Sequence, residues 1–320
     1  MTKQKIIPFL WFDNNCEEAM RFYVSVFSGL PDKSKTSKIL SISRYEKGMD
    51  SPGIEQMVGK VLTGVFELGG QRFMALDGGP VFKINPSVSF FLNFDPSRDK
   101  DARINLDNIW KKLSAGGQAL MPLDKYPFSE RYGWIQDKYG VSWQLILTNP
   151  EGEERPFIIP SLLFVGDVCG KTQEATDFYM SVFKNSKRGQ IARYPKGSEP
   201  DKEGTIMFTD FMLESQWFAA MDSAHEHKFA FNEAISFLVS CKDQKEIDYY
   251  WKKLSAVPES EVCGWLKDKY GVSWQIVPEN MINMTEGTDK KKQVKVMNAV
   301  LGMKKIVIAD LEKAAKSDAK

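Results

Sequence analysis

Apolar and polar positions change period along the chain in short blocks, and each block predicts an element. Ile6 to Phe12 is an unbroken apolar run rich in aromatic and β-branched residues, which predicts a strand. From Cys16 to Phe27 the apolar residues Ala19, Phe22, Tyr23, Val26 and Phe27 recur at helical spacing, with Asn14 or Asn15 placed to cap. Strands are predicted over Lys38–Tyr45, Val61–Leu68 and Arg72–Asp77, the last two joined through Gly69-Gly70 as a hairpin. The order then recurs: a strand over Val88–Phe94, a helix over Leu106–Ser114, and strands near Gln118, near Trp134 and over Val141–Leu147. Asp137-Lys138-Tyr139-Gly140 supplies a turn with Asp first and Gly fourth, as type I turns prefer.

The same blocks return in the second half. Ile6-Ile7-Pro8 recurs as Ile158-Ile159-Pro160, and Glu18-Ala19 with Phe22 to Phe27 recurs as Glu174-Ala175 with Phe178 to Phe183. Trp110 to Ala115 returns as Trp251 to Ala256, and Gly133-Trp134 through Gln144 returns as Gly264-Trp265 through Gln275. Matches of this length in one order identify a tandem duplication. The predicted division is 1–149, a linker over 150–155, a second copy over 156–285 and an extension over 286–320.

Composition narrows the classes. Of 320 residues, 42% are hydrophobic and 27% charged, and Lys plus Arg (43) balances Asp plus Glu (42) to a net charge of +1. A nucleic-acid binder gathers basic charge on one face; here the basic run Lys290-Lys291-Lys292 fits a solvated tail, so no nucleic-acid partner is expected. No apolar run approaches the ~18 residues of a membrane span, and the first strand lacks a cleavage site, so neither membrane nor export is expected. Cys16, Cys169, Cys241 and Cys263 form no C-x-x-C pair, which points to a reducing cytoplasm.

A curled four-stranded sheet with a helix on one face leaves its other face concave, and paired sheets of this kind enclose a pocket. Phe9-Leu10-Trp11-Phe12, the Glu-Ala…Phe-Tyr-x-Ser-Val-Phe helix and the Gly-Trp…Asp-Lys-Tyr-Gly-Val-Ser-Trp-Gln ending resemble the PhnB-like branch of the vicinal-oxygen-chelate (glyoxalase and bleomycin-resistance) superfamily, also described as 3-demethylubiquinone 3-methyltransferase-like. The resemblance implies an α+β fold: two tandem glyoxalase-like domains, each of paired βαβββ modules forming a curled mixed sheet around a pocket. It also implies a divalent metal held by His and Glu, one ligand in the first strand and one at the end of the last. Those slots hold Pro8 and Gln144 in the first copy and Pro160 and Gln275 in the second. A proline cannot coordinate by its side chain and an amide oxygen is a poor ligand for zinc or iron, so the family's metal chemistry is not expected.

Gln144 and Gln275 are the leading ligand-binding candidates, because strand alternation puts Ser142, Gln144 and Ile146 on one face against Val141, Trp143 and Leu145 on the other. Ser89, sharing a face with Ser87 and Phe91, matches Ser236 and is a further candidate; a serine bonded to its own backbone is the competing reading. Arg44 and Arg193 could pin an anion, against surface ion pairing. His225 and His227, with Asp222 or Glu226, are the weak metal candidates, against a solvated loop. Asp77 and Asp222 end strands, where a turn role is expected, and the tryptophans are expected in the core. No phosphate loop, dinucleotide fingerprint or Gly-rich S-adenosylmethionine loop occurs, so methyl transfer is not expected.

The expected function is a small-molecule-binding or regulatory protein without the family's metal chemistry. The alternatives are a metal-dependent lyase, isomerase or dioxygenase-like enzyme working in the second copy, and a non-catalytic subunit of an assembly such as a glycolytic kinase. In the tail, Val294, Met297, Val300 and Leu301 fall at helical spacing and predict a buried face, expected across a subunit interface in a homo-oligomer or hetero-oligomer.

Overall fold

The strands of a computed structural model gather into two mixed sheets, of seven and eight strands. The structure describes residues 4–30, 36–50, 53–149, 153–281, 284 and 289–316, so residues 150–152 of the predicted linker and 286–288 of the extension lie outside it. The first module runs β1 (Ile6–Phe12), α1 (Cys16–Phe27), β2 (Lys38–Arg44), the single-turn α2 (Ile54–Met57), β3 (Val61–Leu68) and β4 (Gln71–Asp77). The second runs β5 (Val88–Phe94), α3 (Ala102–Leu113), β6 (Gln118–Tyr126), β7 (Ser129–Gln136) and β8 (Ser142–Leu147). The third runs β9 (Ile158–Phe164), α4 (Thr172–Val182), β10 (Lys187–Arg193), β11 (Ile206–Leu213) and β12 (Gln216–Asp222). The fourth runs β13 (Ile235–Cys241), α5 (Gln244–Leu254), β14 (Trp265–Lys267) and β15 (Ser273–Pro278), followed by α6 (Lys290–Leu301) and α7 (Ile308–Lys316).

The α+β class with paired modules is as expected, but the modules pair across the two copies. The seven-stranded order is β14-β15-β13-β1-β4-β3-β2, joining the first module to the fourth; the eight-stranded order is β10-β11-β12-β9-β5-β8-β7-β6, joining the third to the second. Antiparallel seams make both joins, with Ile7 opposite Leu238 in one and Ser89 opposite Ser161 in the other. Gln216 adds a tie between the sheets, its Oε1 accepting from the amides of Lys5 (2.9 Å) and Ile6 (2.7 Å). Each copy therefore gives one module to each sheet.

The helices pack on the convex faces and meet in one core. In α1 the buried positions Ala19, Met20, Tyr23, Val26 and Phe27 form a single stripe. Asp77 holds the start of this helix, one oxygen accepting from the Cys16 amide (2.9 Å) and the other from the Val61 amide (3.0 Å). Asp222 repeats the device with Gly170 and Ile206 (2.7 and 2.9 Å), so both aspartates are structural, as the strand-end reading expects. Trp143 and Trp274 are fully buried and donate to Asp137 and Asp268 respectively, each at 2.8 Å. Burying an aromatic while satisfying its N–H is how tryptophan enters a core without cost to hydrogen bonding.

In the tail, Val296 and Val300 of α6 are buried on this same chain, so Val300 of the predicted face is covered from within. At one edge of the seven-stranded sheet, Asn298 accepts from the Asp50 amide (2.7 Å) and donates to the Gly48 carbonyl (3.0 Å). At the other edge, the amides of Cys263 and Gly264 donate to Met303 and Lys304, both at 2.7 Å. The extension thus straps the concave side of that sheet from one rim to the other.

Candidate functional site

Strand alternation decides what each concave face presents. In β1, Ile7 and Phe9 belong to the concave cluster with Val65, Met74, Leu238 and Val277. Pro8 pairs with Phe237 and Pro160 with Phe90, and both rings lie in the helix-covered core. The two prolines therefore point away from the cavities, contrary to the slots assigned from the resemblance. The concave neighbours Ile7, Phe9, Ile159 and Ser161 bring no imidazole or carboxylate either. Among the described residues no group of three His, Cys, Asp or Glu side chains is placed to hold a metal. The donor set does not fit the divalent ion that the fold family implies.

Gln144 and Gln275 do face inward, at equivalent steps of the repeat. Gln144 donates to Ser89 Oγ (2.8 Å), and Gln275 donates to Ser236 Oγ (2.9 Å). The four candidates thus form two matching buried pairs. Their other halves differ. The Tyr132 hydroxyl donates to Gln144 Oε1 at 2.6 Å, and burial pushes the Tyr132 phenol up so that it keeps its proton. Aligning Gly133-Trp134 with Gly264-Trp265 sets Tyr132 against Cys263. The Cys263 thiol donates instead to the Leu301 carbonyl of α6 (3.9 Å), and among the described residues no donor meets Gln275 Oε1.

The concave face of the seven-stranded sheet encloses a cavity of about 240 Å³, below the roughly 300–1,000 Å³ of drug-sized sites and suited to a small metabolite. Ile7, Leu238 and Val277 line its floor and Met297, Val300 and Leu301 of α6 its roof. Arg72 and Gln275 stand at opposite sides, in one row that crosses β4, β1, β13 and β15. Three strand spacings separate their backbones by about 14 Å. Tyr45 and Cys263 also line it, and burial pushes both up, Tyr45 to about 12. Protonated at neutral pH, they can donate hydrogen bonds but not accept a proton as bases. Arg72, Cys263 and the place of α6 over the cavity escaped the sequence reading, although the helical spacing predicts the helix itself; the repeat alignment alone would have exposed Cys263.

The remaining candidates lie elsewhere. Arg44 reaches outward to Glu17 of α1 (2.6 Å) and the Gly59 carbonyl (3.0 Å), and Arg193 to Gln173 (2.7 Å) and the Gly204 carbonyl (2.8 Å). Both are spent on convex-side structure, Arg44 in an ion pair and Arg193 on neutral acceptors, because β2 and β10 turn these positions toward the helices. His225 lies 3.5 Å from Asp201, while His227 bonds Ser223 Oγ (2.8 Å). Burial pushes the His227 imidazole below its usual range, with His225 adding to the effect. The Asp201 charge also reaches His227, but among the described residues these groups are not placed to hold a metal together.

A family model described as 3-demethylubiquinone-9 3-methyltransferase matches residues 4–146 and 156–277. The chain belongs to this family. A Bacillus cereus PhnB protein, itself described by that methyltransferase name, is 41% identical over 45% of this chain and 100% of its own, with a TM-score of 0.37. A Staphylococcus aureus protein is 32% identical over 47% of this chain and 100% of its own, with a TM-score of 0.18. Maize glyoxalase I, 13% identical over 87% of this chain and 92% of its own with a TM-score of 0.50, shares the fold alone. No curated protein matches the chain. In this 3-demethylubiquinone-9 3-methyltransferase family, the whole B. cereus protein matches about half of the tandem chain.

Proposed function

We propose that this chain binds a small, largely apolar molecule in the cavity of the seven-stranded sheet, for sequestration or sensing and not for metal-dependent turnover. The observation that carries the reading is the cavity itself, roofed by α6 and keeping at its wall the amide oxygen of Gln275, which no described donor meets. An apolar cavity with one or two convergent polar groups is the general form of a small-molecule site. The family name does not bring a reaction with it, since function lives in the site and not in the fold.

The reading is tested by thermal unfolding with 1-octanol as a minimal apolar probe. A ligand that binds only the native state raises the midpoint, by about 2.7 kcal/mol of stability at a hundredfold excess over Kd. Val300→Trp fills the roof side of the cavity and is expected to abolish the shift while the protein stays folded by circular dichroism. An equal shift in both proteins would place the probe elsewhere and end the reading.

A further inference from the structure

Arg72 brings a full positive charge to the cavity wall, and among the described residues no carboxylate forms an ion pair with it. Its Nε is buried and has no hydrogen-bond partner. Glu67 stands opposite it across β3 and β4, but turns its carboxylate to the Thr36 hydroxyl at 3.0 Å. Glu279, the carboxylate among the lining residues, follows β15, three strands from β4 in sheet order. Arg72 is half-buried, and a buried guanidinium N–H without an acceptor is unfavourable unless something else supplies one.

The duplicated half shows the contrast. Trp217 takes the place of Arg72 in the repeat, and Arg155 stacks over its ring at 3.6 Å. That guanidinium is matched internally, its Nε lying 2.6 Å from Asp210. The residue at the Asp210 position in the first copy is Val65. The eight-stranded sheet neutralises its arginine, whereas the seven-stranded sheet has lost the carboxylate and kept a cavity.

We infer that the cavity takes a small aliphatic organic acid, its carboxylate on Arg72, its chain along Ile7 and Leu238, and a hydrogen-bond donor such as a terminal hydroxyl at Gln275 Oε1. This rests on the cavity being the binding site. Met49, Met74, Met281 and Met297 line it, and flexible thioethers let such a wall adapt to chains of different length.

The test is calorimetric titration of the full chain with octanoate, octanamide, 8-hydroxyoctanoate and 1-octanol. Octanoate is expected to bind at least about tenfold more tightly than octanamide, the weight of one charge-assisted contact. Arg72→Met and Arg72→Gln should both erase that preference while leaving 1-octanol binding in place. The hydroxy acid should bind several-fold more tightly than octanoate in the wild type and equally in Gln275→Leu. Equal binding of octanoate and octanamide by the wild type, or a preference that survives both Arg72 variants, overturns the acid assignment and spares the cavity. Failure of all four compounds to bind sinks the cavity reading as well.

Discussion

Both concave faces carry a glutamine bonded to a serine at the same step of the repeat, yet the faces have diverged around it. In the eight-stranded sheet Tyr132 occupies the glutamine oxygen and Arg155 is matched by Asp210, so these two groups are satisfied from within, while Trp134 Nε1 and Ser161 Oγ on the same face stay buried without a partner. In the seven-stranded sheet Cys263 and Val65 stand at those positions and leave Gln275 and Arg72 facing a cavity. The extension then covers that face alone, through its ties at Gly48, Asp50, Met303 and Lys304. Duplication supplied two equal scaffolds. A handful of side chains decided that one closes on itself and the other keeps room for a ligand.

The largest effect is expected from removing the strap. Ending the chain at Met284 deletes α6 and α7, including the buried Val296, Val300, Ile306 and Leu311. Each such side chain is worth ~1.5–3 kcal/mol of burial, partly offset by chain entropy released. A loss of at least ~3 kcal/mol in urea unfolding is therefore expected, with amide exchange rising first in the seven-stranded sheet. Unchanged stability and exchange would show that the strap does not hold that sheet.

The next contrast concerns the paired aspartates of the two Asp-Lys-Tyr-Gly turns. Burial pushes Asp137 and Asp268 up to about 6 from an ordinary 3.8, against hydrogen bonds from Trp143 and Trp274 that act the other way. The folded chain then holds these protons more tightly than the unfolded chain. The penalty for ionising them is absent below about 3.8, grows as pH rises, and is complete above about 6. Glu174, held down to about 2 chiefly by the Tyr270 hydroxyl, works oppositely, but only below its ordinary 4.5. Stability is thus expected to fall between pH 4.5 and 7 by about 4 kcal/mol, shared by the two carboxyls, and Asp268→Asn should roughly halve that fall. Asp268 also accepts from Tyr179 at 2.8 Å, whereas the equivalent Tyr23 hydroxyl is less well placed on Asp137, though close enough to lower its pKa. Asn at 268 should therefore cost ~1 kcal/mol more than Asn at 137. A flat pH profile in the wild type would remove the buried-carboxylate account.

These contrasts also mark what the sequence made legible. The repeat, the element order and both glutamine–serine pairs follow from block matching and from the alternation of β5, β8, β13 and β15. The facing of Pro8 and Pro160 does not, because β1 and β9 are buried on both sides and an unbroken apolar run carries no alternation. The exchange of modules between copies is illegible for a similar reason: all four modules offer apolar edge strands, and the partner is chosen by long-range register. Arg72 reads as an ordinary strand-end cation, and only the absence of an acceptor around its Nε distinguishes it from Arg44. The helical stripe of α6 shows that a face is buried, but its partner surface is set in three dimensions.

The smallest effect isolates the two glutamines. Gln144→Leu leaves the Tyr132 hydroxyl without its acceptor and removes the donor from Ser89, in a site where Gln144 is 1% exposed. Orphaning a buried donor costs ~1–3 kcal/mol. Gln275→Leu removes a donor from Ser236 alone and takes away an amide oxygen that had no donor to lose. Replacing a half-satisfied buried amide by an apolar side chain of similar shape is close to neutral, within about 1 kcal/mol. Urea midpoints of the two variants should therefore separate, with Gln144→Leu the less stable. An equal loss in both would mean that Gln275 finds a donor as good as Tyr132, and the two faces would no longer differ at that pole.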